Sequence, residues 1–172
     1  MKQLSFLQEN PSKIKSKKKL SKNHWQMFVD GASRNNPGIS GAGIHIKKNN
    51  RTVKKLGFHL GIKTNNQAEY AALIIGLYYL LPLIHEGDHV DIISDSELLV
   101  KQCKGEYKVK HPELKPLYAL AKKILSSLNY SINHILREHN SIADLLANKG
   151  IDEKIKLPIP FLTFIKQHEL DW

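Results

Sequence analysis

An apolar strand that ends on an aspartate is the feature that most constrains this fold. Residues 27–29 are Met, Phe and Val, and Asp30 follows them directly. A turn rich in Gly, Asn and Pro comes next, at residues 31–38. An unpaired buried charge is costly. The strand therefore predicts either a cationic partner for Asp30 or a local role in which its side chain starts the turn.

The rest of the chain alternates strand and helix patterns. Three strands are predicted at 25–33, 41–48 and 52–60, followed by an apolar helix at 67–81. A strand at 89–94, helices at 96–104 and 112–128, a strand at 130–137 and a helix at 141–149 complete the order. Right-handed crossovers then give an α/β fold, with a five-stranded mixed sheet in the order 3-2-1-4-5 and helices on both faces.

The chain divides into three predicted segments. Residues 1–24 contain a lysine run and are expected to form a basic, flexible extension, either an arm that binds phosphates or a solvated tail. Residues 25–152 carry the regular pattern and form the expected catalytic domain. Residues 153–172 form a tail whose apolar side chains are expected to pack on the domain or on a partner.

Composition narrows the function classes. Lys and Arg outnumber Asp and Glu by 26 to 16, which gives a net charge of +10 and suggests a polyanionic partner such as nucleic acid. No apolar run approaches the roughly 20 residues of a membrane span. Cys103 is the only cysteine, which excludes an internal disulfide and a cysteine-based zinc site. We therefore expect a monomer in the cytoplasm, with no membrane association.

The fourth predicted strand, 89–94, is also an apolar run that leads directly into an aspartate, Asp95. Strands one and four are predicted to be adjacent and parallel, so Asp30 and Asp95 should lie at the same edge of the sheet, where open α/β sheets bind ligands. Two like charges there repel unless a cation or a shared proton intervenes. Taken alone, Asp95 could instead cap the next helix.

Two further acids lie in the first turns of predicted helices. Glu69 has capping-box spacing from Asn66, and Asp144 has the same spacing from Ser141. Capping explains each of them singly, yet both helices can start at the edge where the two strands end. Four converging carboxylates predict hard divalent cations, with two Mg²⁺ ions clamping the attacking and leaving oxygens of a phosphodiester.

Four segments, in this order, resemble type 1 ribonuclease H. They are "DGASRNNPGISGAG", "TNNQAEYAALIIGL", "SDSELLVKQCKGEYKVKHPELKPL" and "REHNSIADLLANKGID", and the resemblance covers about residues 26–152. It implies the ribonuclease H-like fold and endonucleolytic hydrolysis of the RNA strand in RNA–DNA hybrids. The products would carry 5′-phosphate and 3′-hydroxyl ends.

The resemblance also implies roles for individual residues. The catalytic, metal-binding acids would be Asp30, Glu69, Asp95 and Asp144, with Mg²⁺ or alternatively Mn²⁺. The residues near the minor groove, where 2′-hydroxyls distinguish RNA from DNA, would be Gly31, Ser33, Asn36, Asn65 and Asn66. Thr64 would hold a phosphate of the DNA strand. His139 would assist proton transfer, although it lies on a shorter loop than in many relatives.

The chain departs from the family pattern at several points. Asn35 stands where a glycine is common, which predicts a left-handed or turn conformation. Glu97 replaces a frequent Gln, and residues 101–116 leave no room for the extra basic helix of some relatives. Two alternatives remain: a catalytically weak nucleic-acid-binding module of the same fold, and a related nuclease that acts on double-stranded RNA.

Overall fold

A computed structural model describes residues 22–170. These residues form five strands: β1 His24–Arg34, β2 Gly38–Lys48, β3 Arg51–Lys63, β4 His89–Ser94 and β5 Tyr130–His134. They also form five α-helices: α1 Asn65–Leu80, α2 Glu97–Lys104, α3 Lys115–Leu125, α4 Ser141–Asp152 and α5 Ile159–Gln167. Short 3-10 turns follow α1 and precede α4, at Leu81–Leu83 and Arg137–His139.

The sheet has the predicted order, β3-β2-β1-β4-β5. The first three strands pair antiparallel, whereas β1 pairs parallel with β4, and β4 parallel with β5. The last parallel pair between β1 and β4 is Val29 with Ser94. Asp30 and Asp95 come directly after this pair, so they lie together where the parallel pairing stops. The predicted fold class is confirmed.

Helix α1 covers one face of the sheet and is buried on most of its sides. Alternate residues of β1 point toward it, and Trp25, Met27 and Val29 are at most 2% exposed. Met27 packs so closely on α1 that a Cβ added at Gly76 would meet its sulfur at 2.7 Å. This apolar core anchors β1 and α1 as one unit, which holds the site residues at their ends.

Helix α4 covers the opposite face and lies directly on the backbone of β2. A Cβ added at Gly43 would meet the carbonyl oxygen of Ala143 at 1.9 Å, and one at Gly41 would meet that of Ala147 at 2.3 Å. Glycine is needed here because no side chain fits between the strand and the helix. The contact fixes the height of α4, and of Asp144 with it, above the sheet.

Helix α1 begins earlier than predicted, and with a different cap. The Thr64 hydroxyl accepts from the Gln67 N–H at 3.2 Å, and the Gln67 side chain accepts from the Thr64 N–H at 2.8 Å. This capping box replaces the predicted pair of Asn66 and Glu69, which was wrong. The carboxylate of Glu69 is consequently not engaged at the helix end.

The capping alternatives for the other two acids are also wrong. Ser96 caps α2, since its hydroxyl accepts from a backbone N–H three residues on. Asp95 therefore stays outside the cap. At α4 the N-cap residue is Asn140, which makes no side-chain capping bond, and Ser141 is the first helical residue rather than the cap of Asp144.

Several element ends differ from the predicted ones by three residues, in β2, β3, α3, β5 and α4. Gly150 does not end α4 but lies inside it, where a Cβ would meet the backbone nitrogen of Phe58 at 2.5 Å. Strand β5 ends at His134 rather than at residue 137. Helix α3 begins at Lys115, because the chain after Pro112 first forms a turn.

The C-terminal helix α5 packs on α1. Phe161 and Ile165 are 0% and 1% exposed, and Phe161 contacts Tyr78 edge-on with ring centroids 5.3 Å apart. Of the predicted basic extension, residues 1–21 lie outside the described part of the chain. Within residues 22–170, no helix is both long and apolar enough to cross a membrane.

Candidate active site

Asp30 is a buried carboxylate facing a second one. It is 5% exposed, and its side chain lies close enough to that of Asp95 for the two carboxylates to interact. Burial raises its pKa to about 7, and the negative charges of Asp95 and Asp144 add to the effect. Two carboxylates this close share a proton or require a cation. Asp30 therefore belongs to a cluster of acids and does not merely start the turn that follows it.

Glu69 is brought to Asp30 by contact between two backbones. A Cβ on Gly31 would lie 2.2 Å from both the carbonyl carbon of Ala68 and the nitrogen of Glu69, so the first turn of α1 sits directly on β1. The Gly31 N–H donates to the Glu69 carboxylate at 3.2 Å. Burial, followed by the charges of Asp30 and Asp95, raises the pKa of Glu69 well above its usual range.

Asp144, on α4, is the fourth acid, and an arginine holds it. Arg137 donates to its carboxylate with an Nη2 to Oδ1 distance of 2.6 Å. That hydrogen bond and the charge of Asp144 raise the pKa of Arg137, and the charges of Asp30 and Asp95 contribute as well. Sequence reasoning missed Arg137, although it stands in the fourth motif, seven residues before Asp144.

One cavity of about 370 Å³ gathers most of these groups. Three of the predicted acids line it, with three of the predicted substrate-contacting residues and four residues that were not predicted: Asp30, Glu69, Asp95, Gly31, Ser33, Asn65, Ala32, Arg34, Arg137 and Asn148. Asp144 is linked to the cavity through Arg137. The remaining predicted contacts, Asn36, Thr64 and Asn66, lie outside its lining.

The loops beside the cavity are tied to each other. The Asn36 side-chain oxygen accepts from the Asn65 N–H at 3.0 Å, which joins the β1–β2 turn to the start of α1. The Ser33 hydroxyl donates to the carbonyl oxygen of Lys63 at 2.9 Å. Asn35 has a φ of 73°, the left-handed conformation predicted for it. These bonds hold the polar rim in place next to the acids.

Asn140 is a second functional candidate that sequence reasoning missed. Its side chain is 1% exposed and donates to the Val29 carbonyl at 2.9 Å and to the Asp95 carboxylate at 2.6 Å. It therefore joins the start of α4 to both acid-bearing strands. Its partners lie 111 and 45 residues away, and only its place in the fourth motif could have drawn attention to it.

His139 does not line the acid cavity. It lies beside a separate cavity with His45 and Lys47, and its ring is 68% exposed, with Nε2 3.5 Å from the Glu138 carboxylate. Its role in proton transfer stays a prediction.

The donor set fits hard divalent cations. Carboxylate oxygens are the ligands that such ions take, and the raised pKa values of Asp30 and Glu69 mark a site where positive charge is missing. As the side chains stand, no three His, Cys, Asp or Glu residues among 22–170 are arranged to hold one metal ion. Asp144 in particular is turned to Arg137.

Comparison with known proteins agrees with this geometry. Residues 28–150 match the family model described as Reverse transcriptase-like. The chain is 35% identical over 128 residues to Ribonuclease HI of Halobacterium salinarum, a match that covers 73% of this chain and 63% of that protein. It is 37% identical over 128 residues to the bifunctional protein Rv2228c of Mycobacterium tuberculosis, a match that covers 72% of this chain and 34% of that protein.

Among solved structures, the chain matches the crystal structure of LC11-RNase H1 in complex with an RNA/DNA hybrid. LC11-RNase H1 was isolated from compost. The TM-score is 0.71 and the identity 37%, over 75% of this chain and 97% of that one. The fold and the acid cluster define a ribonuclease H-like domain. The chain belongs to the type 1 ribonuclease H family. The matched part of the chain spans less than two thirds of the length of the Halobacterium salinarum and Mycobacterium tuberculosis relatives.

Proposed function

We propose that this protein is an endonuclease that hydrolyses the RNA strand of RNA–DNA hybrids and leaves 5′-phosphate and 3′-hydroxyl ends. The observation that carries the proposal is the gathering of Asp30, Glu69 and Asp95 in one cavity, where the parallel pairing of β1 and β4 stops. A polar rim of the predicted residues lies beside it. Family membership and the hybrid-bound relative give further support.

The four acids Asp30, Glu69, Asp95 and Asp144 would hold two Mg²⁺ ions, with Mn²⁺ as an alternative. When bound, such ions supply Lewis-acid charge at the scissile phosphate and lower the pKa of water. The acids must then be ionised. Burial and mutual repulsion raise the pKa of Asp30 and of Glu69 and so oppose this ionisation, which a bound cation would favour.

Arg137 would hold the Asp144 side chain in place until Asp144 binds a metal ion. Its guanidinium is 74% exposed, and exposed ion pairs contribute about 1 kcal/mol or less. Asp144 can therefore leave Arg137 at little cost. Asn140, by contrast, is buried and holds Asp95 in position through a short hydrogen bond.

The rim residues would select the substrate. Gly31, Ser33, Asn36, Asn65 and Asn66 would contact 2′-hydroxyls and bases in the minor groove, which is where RNA differs from DNA. Asn65 and Asn66 are exposed at the start of α1, so their amides are accessible to a duplex. Thr64 would meet a phosphate of the DNA strand.

The test is cleavage of matched substrates. A hybrid labelled on either strand, double-stranded RNA and double-stranded DNA are incubated with the protein in Mg²⁺ or Mn²⁺. We expect cleavage of the hybrid's RNA strand alone, and at least a 100-fold loss for Asp95→Asn, because removing a group that acts on the reacting atoms commonly costs ~10²–10³. Circular dichroism of the variant checks that its fold is intact.

Three results would count against the proposal. Cleavage of the DNA strand or of no substrate would overturn it, and full activity of Asp95→Asn would remove the acids from the mechanism. Preferential cleavage of double-stranded RNA would instead favour the alternative nuclease.

We further propose that the protein acts as a monomer in the cytoplasm. Its single cysteine, Cys103, is buried and free of disulfides, which suits a reducing compartment. Light scattering at working concentrations tests the oligomeric state.

A further inference from the structure

The stretch from Gly31 to Ala68 contains seven Lys and Arg residues and no Asp or Glu. Five of the seven lie on the β2–β3 hairpin, at its turn end: Lys47, Lys48, Arg51, Lys54 and Lys55. The turn end of the hairpin therefore presents a positive surface on the same sheet as the site that the proposed function assigns to nucleic acid, with Lys48 opposite Trp25 and Gly43 opposite Asp30.

The two faces of the hairpin differ in what their lysines do. Lys48 lies over the Trp25 ring at 5.1 Å, and Lys54 over the Tyr79 ring at 5.7 Å, both on the α1 side. Lys47 and Lys55 lie on the α4 side. There Lys55 is the cross-strand partner of His45, and neither lysine has an ion pair within residues 22–170.

His45 marks the positive potential on the α4 side. The residue is 5% exposed and its Nε2 contacts the Thr52 hydroxyl at 2.9 Å. Its pKa is lowered by burial, and the charges of Lys55 and Lys47 lower it further. The ammonium groups of Lys47 and Lys55 thus both raise the electrostatic potential at His45. We call His45, Lys47 and Lys55 the lysine face.

The lysine face adjoins a cavity that one residue, Asn140, links to the acid cluster. A cavity of about 140 Å³ is lined by His45, Lys47, His139 and Phe28 together with the first residues of α4. Asn140 also lines this cavity, and the same side chain donates to the Asp95 carboxylate at 2.6 Å. One residue therefore separates the lysine face from the acids.

We propose that Lys47 and Lys55 bind backbone phosphates of the cleaved strand on one side of the scissile phosphodiester. This rests on the proposed function, because the strand that meets the acids is the strand being cleaved. A strand that continues past Asn140 reaches the lysine face next. The substrate that we assign to this face is a single-stranded extension of the RNA, which is free to bend away from the duplex.

The test compares hybrids that differ only in their RNA ends. One is blunt, one carries a 5′ single-stranded RNA extension, and one a 3′ extension. Binding is measured with Asp95→Asn protein, so that no cleavage intervenes, either alone or with Lys47→Gln and Lys55→Gln added.

We expect one of the two RNA extensions to lower the Kd relative to the blunt hybrid. Lys47→Gln with Lys55→Gln should remove that gain and raise the Kd for the extended hybrid about threefold to tenfold. The slope of log Kd against log salt for that substrate should fall by about 1.4, because each single-strand phosphate that is no longer neutralised accounts for ~0.7.

The matched control is Lys48→Gln with Lys54→Gln. It removes the same charge from the same hairpin but from the opposite face, and it should leave the gain from the extension intact. Thermal unfolding of both double variants checks that neither is misfolded.

Several outcomes would overturn the proposal. Equal weakening by both double variants would mean a diffuse charge effect, and equal weakening on the blunt hybrid would mean a duplex contact. No gain from either extension would make the lysine face a solvated surface. Failure of the proposed function would be seen separately, as the absence of hybrid cleavage by the wild-type protein.

Discussion

Asp30 shows what a carboxylate cluster costs the folded protein. Its pKa rises from 3.8 to about 7, first through burial and then through Asp95 and Asp144. Between these two pH values the unfolded chain has lost the proton while the folded chain keeps it, so stability falls as pH rises through this window. Above it, both states are ionised and the full penalty persists. A site built for cations is thus unfavourable without them.

Replacing Asp30 by Asn should therefore stabilise the protein at high pH. In the absence of divalent cations, we expect the free energy of unfolding of Asp30→Asn to exceed that of the wild type by roughly 2–4 kcal/mol at about pH 8, and by little near pH 4. Urea denaturation across this pH range measures the difference. Glu86→Gln, at an exposed position without an ion pair among residues 22–170, is the control. A difference that does not grow with pH would contradict the prediction.

At the residue scale, the sequence predicts the four acids but not the two residues whose side chains hydrogen-bond to their carboxylates. Asp30 and Asp95 can be found in the sequence because each directly follows an apolar run that forms a strand. Arg137 and Asn140 are not, because a polar residue in a loop gives no local sign that its partner is a distant carboxylate. The capping alternatives fail for a local reason: Thr64, Gln67 and Ser96 already fill those roles.

At the scale of elements, the seating of α4 on β2 controls the fourth acid. Asp144 is one residue from Ala143, whose carbonyl oxygen lies where a Gly43 side chain would begin. The helix backbone cannot yield as a flexible side chain does. A change at Gly43 must therefore move α4 as a unit.

Gly43→Ala should destabilise the protein by about 3 kcal/mol or more, since overpacking costs roughly 1–3 kcal/mol even where side chains can adjust. It should also reduce nuclease activity, because Asp144 moves with the helix. Thermal unfolding and hybrid cleavage measure the two effects. Gly105→Ala is the comparison: Gly105 has a φ of 81° and nothing within 4 Å, so it reports the strain of a left-handed residue alone, about 1–2 kcal/mol. Equal losses at both sites would disprove the role of the close contact.

The elements themselves are largely predictable. Strand alternation and the apolar run of α1 identify them, because burial imposes these patterns directly. Their ends are less so. Glycine commonly ends a helix, so the sequence predicts an end at Gly150, but here this residue lets α4 approach Phe58. Close approach leaves no separate mark in the sequence.

At the scale of the whole molecule, the C-terminal segment completes the core. Phe161 is fully buried against Tyr78, and the Ile155 carbonyl accepts from the His59 N–H of β3 at 2.7 Å. The strand order could be derived from the handedness of crossovers. The docking of α5 could not, because nothing in a short apolar segment says which face of the domain it covers.

Phe161→Ala should therefore destabilise the protein by about 3–5 kcal/mol, as buried aromatic truncations commonly do. The acids are untouched, so activity per folded molecule should persist below the new midpoint. Calorimetry and cleavage at low temperature separate the two. Leu162→Ala, 40% exposed on the same helix, should change little; a comparable loss there would mean that α5 contributes through helix formation rather than through burial.

The one-sided charge of the β2–β3 hairpin has a kinetic meaning. Carboxylates lie where β1 meets the cavity, and ammonium groups lie toward the turn end of the hairpin, so charges of opposite sign are separated along this part of the sheet. If the substrate is the proposed nucleic acid, this field would orient it at a distance, with its backbone toward the lysines. Encounter thus favours one orientation, and the rate of capture should fall with ionic strength more steeply than turnover at saturation.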